Sequence, residues 1–355
     1  MTETDMTETE NDTVASYEDV IPKRLENPLL DRRATRSRGI PLAPEDVPYE
    51  VENRPEPPPV PNGWYALAAS GELVAGEAIS TIACARELVV FRTDSGEVSV
   101  VDAHCPHMGA HLGGGEVSGE TIACPYHGWE FGTDGTCVEI PYSDSRIPSK
   151  ACVKSYPSRE INGMILFWYH AGGAEPNYEV PPIPEPDEEG YGDAHIFETE
   201  FQSAIQDMAE NNVDYTHFHF VHRRAALDES TSKFETDGPF SKVTEIFDEA
   251  GLQPFTRWTY GPGIAYLRVP DLMTVYTATT PIDRRNVRLL WFFYLPDAME
   301  PLAEEIVDGV TGSYGIQADV PIWRDKVFRE KPLLVKGDGP VSEFRRWYAQ
   351  FYEGN

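Results

Sequence analysis

Apolar residues from position 63 onward fall into short alternating or continuous runs bounded by turn residues, a pattern that predicts strands more than helices. Leu88-Val89-Val90-Phe91, the turn Asp94-Ser95-Gly96 and Val98-Ser99-Val100-Val101 read as a hairpin. Met164 to Tyr169, in the most hydrophobic stretch of the chain, reads as a further strand that closes an antiparallel all-β module. The connector Val180-Pro181-Pro182-Ile183-Pro184-Glu185-Pro186 is too Pro-rich for helix, presents no apolar face and reads as a domain boundary. Beyond it, residues 203–223 read as helix. Val243 to Phe247, Ile264 to Val269, Leu272 to Ala278 and Val287 to Phe293 read as strands of one antiparallel sheet. Helix returns from Ile316, and Glu343 to Tyr352 should cover the sheet. The expectation is an α+β chain with an extension at 1–58, a β domain at 59–178 and a second domain at 179–355.

Composition sharpens this picture. The extension is polar, acidic and Pro-rich; its first fifteen residues should be disordered, and Pro41 to Pro61 should run extended. The remainder, in a chain with 41% hydrophobic residues, can bury a substantial core. No apolar run is long enough to span a bilayer, and the Thr/Glu/Asp-rich start lacks the features of a signal peptide, so a soluble cytoplasmic protein is expected. The net charge of −30 argues against a nucleic-acid partner. It fits a solvated acidic surface better than a patch that steers a basic electron donor. Five cysteines do not make a disulfide framework, and Cys84, Cys137 and Cys152 read as buried or half-buried thiols without a role.

Candidate chemistry comes first from Cys105-Pro106-His107 and Cys124-Pro125-Tyr126-His127. Each half offers one thiolate and one imidazole, the donor set of a Rieske [2Fe–2S] cluster, in which one iron keeps two Cys and the other takes two His. Zinc sites also mix these residues, but they usually run Cys-Cys then His-His with wider gaps inside each pair. Gly109, Gly113, Gly114, Gly115 and Gly128 suit loops whose backbone N–H groups must approach cluster sulfurs.

A second constellation runs from Glu210 through Asn211, Asp214, His217, His219 and His222. His217 and His222 would point about 140° apart on an ideal helix, so a bend or π-bulge is needed to bring both to one metal. Two His and one carboxylate on one face of Fe(II) leave positions open for O₂ and substrate. A structural run of histidines is the alternative, but a one-electron cluster in the same chain favours the metal.

Cys105-x-His107, Cys124-x-x-His127 and Asp214-x-x-His217-x4-His222 together resemble the Rieske non-haem iron oxygenases, over about residues 60–355. Gln317-Ala318-Asp319-Val320-Pro321-Ile322-Trp323, Lys326 and Glu343 to Tyr352 resemble the oxygenase component of 3-ketosteroid 9α-hydroxylase. The resemblance implies a catalytic domain of helix-grip type and Asp319 as the carboxylate ligand, with Asp308 and Asp325 as surface competitors. It implies an NADH-dependent flavin or iron–sulfur reductase as partner, O₂ as co-substrate and a steroid hydroxylated at C9. It also implies a homotrimer in which Asp214 bridges His217 to a cluster histidine of the neighbouring chain, His127. Asn211 then lies near the iron, bonded either to a ligand or to backbone. Trp323, one turn after Asp319, faces the same cavity as a candidate substrate contact, whereas His219 belongs to pocket or core. A Rieske oxygenase for another polycyclic or aromatic compound is the nearer alternative. A Rieske electron carrier would leave the second domain unexplained, and a membrane-bound sterol desaturase fits less well without a membrane span.

Overall fold

The computed structural model describes residues 55–224, 232–246 and 254–352; the expectations for 1–54 and for Phe247 lie outside them. The N-terminal part is all β: β1 (Gly63–Ala69), β2 (Ala78–Ala83), β3 (Arg86–Arg92), β4 (Val98–Asp102), β5 (Glu116–Ser118), β6 (Thr121–Ala123), β7 (Glu130–Gly132), β8 (Cys137–Glu139), β9 (Ser155–Tyr156), β10 (Ser158–Ile161) and β11 (Met164–Tyr169). These form three small antiparallel sheets ordered β1-β11-β10, β2-β3-β4-β9 and β5-β6-β7-β8.

The paired strands β1 and β11 are apolar at almost every position because both of their faces are covered. Trp64, Ala66, Met164, Leu166 and Trp168 point one way, into a core shared with Ile264, Tyr276 and Phe292 of the C-terminal sheet. Tyr65, Leu67, Ile165 and Phe167 point the other way, against Leu88, Val90 and Val100. Alternation of side chains across a strand thus makes this pair the wedge that joins the two halves. Each large side chain so buried is worth roughly 1.5–3 kcal/mol.

The C-terminal part holds β12 (His195–Gln202), β13 (Lys233–Asp237), β14 (Phe240–Glu245), β15 (Phe255–Tyr260), β16 (Ile264–Val269), β17 (Met273–Pro281) and β18 (Asn286–Tyr294). They build one antiparallel sheet ordered β12-β18-β17-β16-β15-β14-β13. Its helices are α1 (Ile205–Glu210), α2 (Tyr215–Phe220), α3 (Ala303–Thr311), α4 (Ile316–Asp325) and α5 (Val341–Tyr348). The α+β architecture agrees with the sequence. No helix among the described residues is long and apolar enough to cross a membrane.

Four expectations need correction. The stretch 203–223 is not one helix: α1 passes through a 3₁₀ turn at Asn211–Val213 and stops at Asp214, whose φ of −89° and ψ of 90° restart the chain as the N-cap of α2. The Pro-rich connector does have an apolar face, since Val180 and Ile183 are buried in the shared core. Their spacing of three residues is the repeat of an extended Pro-rich chain, which a search for helix or strand periods passes over. In the same connector Glu185 is buried and accepts hydrogen bonds from Tyr266 Oη at 2.7 Å and Thr274 Oγ1 at 2.9 Å. Cys152 is exposed, unlike Cys84 and Cys137, because it follows a turn at the rim of the small sheets. Helix also returns earlier than Ile316, at α3; three charged residues within Ala303–Thr311 dilute its apolar stripe.

Candidate functional site

The two Cys/His loops are built alike. Cys105 and His107 lie in the connection from β4 to β5, and Cys124 and His127 in the turn from β6 to β7. In each loop the Cys carbonyl accepts from the N–H of a glycine four residues on, Gly109 or Gly128, at 2.9 Å. Those glycines have φ of 78° and 71°, left-handed values that a side chain would strain. Both thiols are buried. Burial, then the adjacent Cys124, pushes the Cys105 thiol up to about 11, while the backbone N–H groups of His107 and Met108 pull it down. Those N–H groups would stabilise the charge of a metal-bound thiolate at the same sulfur.

The imidazoles of His107 and His127 meet with ring centroids 4.6 Å apart, and Trp129 stacks flat on His107 at 4.5 Å. The Nδ1 atoms of both are buried without a hydrogen-bond partner in the described residues. A buried, unsatisfied ring nitrogen is costly unless something absent fills it. Two such nitrogens beside two thiols fit the two-Cys, two-His set of a Rieske cluster.

Across the chain, His217, His222 and Asp319 bring ligand atoms within 4.8 Å of one another. Neither a π-bulge nor a bent helix is responsible. Helix α2 ends at Phe220, the Val221 N–H closes on the His217 carbonyl at 2.8 Å, and Arg223 adopts φ of 57°. His222 therefore leaves the helix and swings back, its ring centroid 5.0 Å from that of His217. Asp319 comes from α4, 5% exposed, with its Oδ2 3.2 Å from His222 Nε2. Burial and the neighbouring His222 hold the His217 imidazole below its ordinary value against the pull of Asp214 and Asp319, which favours the neutral form that a metal requires.

Here the Nδ1 atoms are occupied. That of His222 meets the Tyr314 carbonyl at 2.9 Å, and that of His217 meets the Asp214 carbonyl. Backbone carbonyls fix the tautomer and leave both Nε2 atoms free as ligand atoms, that of His222 beside Asp319. The donor set and its orientation fit a two-His, one-carboxylate iron site.

Asp214 is placed somewhat differently from expectation. Its carbonyl, and not its carboxylate, takes the His217 ring; the carboxylate caps α2 by accepting from the His217 N–H at 3.2 Å and lies 3.9 Å from Nδ1. That carboxylate is 42% exposed. The Asn211 side chain bonds to side chains and not to backbone: its Nδ2 donates to Asp319 Oδ1 at 3.4 Å, and its Oδ1 accepts from Trp323 Nε1 at 3.4 Å. Trp323 stacks on Phe201 of β12, ring centroids 5.5 Å apart. His219 turns away and bonds to the Arg224 carbonyl at 3.1 Å. Tyr314 escaped sequence reasoning because it acts through its backbone.

The triad opens onto a cavity of about 260 Å³ between the helices and the large sheet. Met208, Leu267, Val275, Trp291, Ile316 and Trp323 give it an apolar lining. A dry wall beside an open metal site suits a flat hydrophobic substrate.

Residues 63–157 match the Rieske [2Fe-2S] domain family, and residues 167–352 match the family described as the 3-ketosteroid 9alpha-hydroxylase C-terminal domain. A cholesterol 7-desaturase of Drosophila melanogaster is 33% identical over 336 residues, covering 84% of this chain and 76% of the relative. A probable 3-ketosteroid-9-alpha-monooxygenase oxygenase component of Rhodococcus rhodochrous is 29% identical over 338 residues, covering 87% and 84%. The crystal structure of dicamba monooxygenase bound to dicamba superposes with a TM-score of 0.67 over 82% of this chain and 96% of that one, at 17% identity, a likeness of fold.

Proposed function

Because the chain belongs to the Rieske oxygenases whose catalytic domain is of the 3-ketosteroid 9α-hydroxylase type, we propose that it is a terminal monooxygenase that hydroxylates an unactivated C–H bond of a steroid, at C9 of a 3-ketosteroid. One observation carries this reading: a two-His, one-carboxylate triad opens onto an apolar cavity in a chain that also carries a Rieske ligand set.

The family's two resident groups are the [2Fe–2S] cluster and a mononuclear Fe(II), and when bound they supply single electrons and activation of O₂. Cys105, His107, Cys124 and His127 would hold the first, and His217, His222 and Asp319 the second. Asn211 orients the Asp319 carboxylate by donating to it, and the Trp323 indole holds Asn211 in turn. The apolar wall excludes water from the bond to be oxidised.

An NADH-dependent flavin or iron–sulfur reductase is the electron donor, which puts the enzyme in the cytoplasm where NADH is regenerated. The working unit is a homotrimer in which Asp214 links the His217 site to a cluster histidine of the next subunit. Its half-exposed carboxylate beside His217 supports that role. We divide the chain at 178/179, after the β1–β11 wedge and before the Pro-rich strap.

A second reading, desaturation, is favoured by the relatives named cholesterol 7-desaturase at 30–33% identity. That no helix among the described residues is long and apolar enough to cross a membrane does not discriminate between the two reactions. Purified holoprotein with a matching reductase, NADH and O₂ should convert a 3-ketosteroid to a product heavier by one oxygen atom. A product lighter by two hydrogens from a sterol would establish desaturation, and turnover of aromatic acids alone would overturn the steroid reading.

A further inference from the structure

Away from its metal edge the cavity is mostly apolar; the sheet adds Thr277 and Thr279 of β17 and, on β15, the charged Arg257 beside Thr259. On β15, Arg257 and Thr259 are two residues apart and share a face. Arg257 stands opposite Leu267 of β16, which pairs in turn with Val275 of β17, and all three line the cavity. The Arg257 side chain is only 15% exposed, and its charge partner is Glu245 of β14, whose side chain is fully buried at 3.6 Å. That separation is an ion pair without a hydrogen bond. Neither oxygen of Glu245 has a hydrogen-bond partner, and the Arg257 guanidinium makes no side-chain hydrogen bond among the described residues.

A guanidinium carries five N–H donors, and those of Arg257, unspent on any side-chain hydrogen bond among the described residues, are left for a group in the cavity. A structural pair would not need such an arrangement, because replacing a buried ion pair by well-packed apolar residues is often neutral or stabilising. Arg257 lines the cavity onto which the triad opens. The counter-charge also limits what can fill that space. Arg257 and Glu245 are neutral together, so an incoming carboxylate would put two anions beside one cation in a dry site.

We propose that Arg257, held by Glu245 and flanked by Thr259, is a specificity-determining residue that donates hydrogen bonds to a neutral oxygen, a ketone or hydroxyl, on the substrate. This rests on the steroid reading above and deepens it. The cavity accepts a hydrophobic ring system through its walls and selects it by one neutral oxygen at the sheet, while the bond to be oxidised lies at the metal edge.

The test uses metal-loaded holoenzyme and equilibrium binding of four kinds of probe: androstanones with the ketone at either end of the nucleus, the matching androstanols, oxygen-free androstane and an androstane carboxylate. Wild type should bind a ketone and its alcohol about tenfold to a hundredfold more tightly than androstane, the range for a hydrogen bond to a charged donor. The carboxylate should gain nothing over androstane. The double variant Arg257→Leu/Glu245→Leu removes both charges together and avoids an orphaned carboxylate. With unchanged iron content and cluster spectrum, it should bind ketone, alcohol and androstane alike, and Arg257→Lys should keep part of the preference. An undiminished ketone preference in the double variant would overturn the role of Arg257, and tighter binding of the carboxylate would overturn the neutral-oxygen rule. If wild type binds none of the steroids, the steroid reading itself falls, and this inference with it.

Discussion

The two metal centres solve the same problem in opposite ways. The proposed cluster ligands come from two similar loops, one joining β4 to β5 across two small sheets and one inside the second sheet, close in sequence, and their histidines keep buried Nδ1 atoms without partners among the described residues. The proposed iron ligands come from a helix, the turn behind it and a distant helix, and the Nδ1 atoms of the two histidines are held by the carbonyls of Asp214 and Tyr314. A local site is shaped by turn geometry, whereas a dispersed site must be assembled by packing and oriented by hydrogen bonds. The first should therefore depend on the metal for its own fold, and the second on the fold for its metal.

The largest effects should come from breaking either centre alone. Cys124→Ser should remove the cluster and loosen β5–β8, lowering the iron content from about three to about one per chain and abolishing NADH-driven turnover. Asp319→Ala should remove one iron, leaving the cluster's visible and electron-paramagnetic spectra and the thermal midpoint of the N-terminal part unchanged. Loss of the cluster in Asp319→Ala would show that the two halves are not independent.

Cutting the connection between them comes next. Asp214→Ala keeps the carbonyl that holds His217 and loses only the carboxylate, so it should leave both metals loaded yet reduce steady-state turnover about tenfold to a hundredfold, the range for losing a group that supports a metal ligand. Helix capping alone is worth about 1 kcal/mol, so Asp214→Asn, which keeps the cap and loses the charge, separates the two roles. Near wild-type hydroxylation in both variants would refute the bridge. Asn211→Ala should act more mildly: losing one hydrogen bond to Asp319, worth about 1 kcal/mol, should weaken iron retention about fivefold in a chelator titration and leave the cluster untouched.

The smallest effects concern pH, and their signs differ between the halves. Glu160, bonded to Arg92 in the N-terminal part, is held below its ordinary value of 4.5. It therefore stabilises the fold above that pH and ceases to as pH falls through the lowered value. Glu245 of β14 is raised above 4.5 by burial, against the pull of Arg257. Its contribution is complete below 4.5 and is lost as pH rises through the raised value. Between pH 7 and 3, Glu160→Gln should flatten the acid limb of the thermal-stability profile, and Glu245→Gln the limb above 4.5. Equal slopes in both variants would refute the contrast.

Much of this was legible residue by residue. Cys105, His107, Cys124 and His127 could be read directly because a Rieske site needs two short loops with its donors at fixed spacing. The strand β11 and the helix α5 followed from apolar pattern. The breaks were not legible: nothing in the apolar pattern between 203 and 223 says that Asp214 would stop one helix and start another. Nor did it say that Val180 and Ile183 would use a three-residue repeat to reach the core.

By itself, the sequence determined the cluster, the histidine pair and the two-part α+β plan, because each rests on short-range spacing or on periodicity along one element. Only the tertiary structure decided that Asn211 grips Asp319, that Tyr314 orients His222 and that Arg257 faces the cavity with Glu245 behind it. Those pairings join residues far apart in the chain. Which of them meet is set by how α4 and the seven-stranded sheet pack, and not by any local pattern.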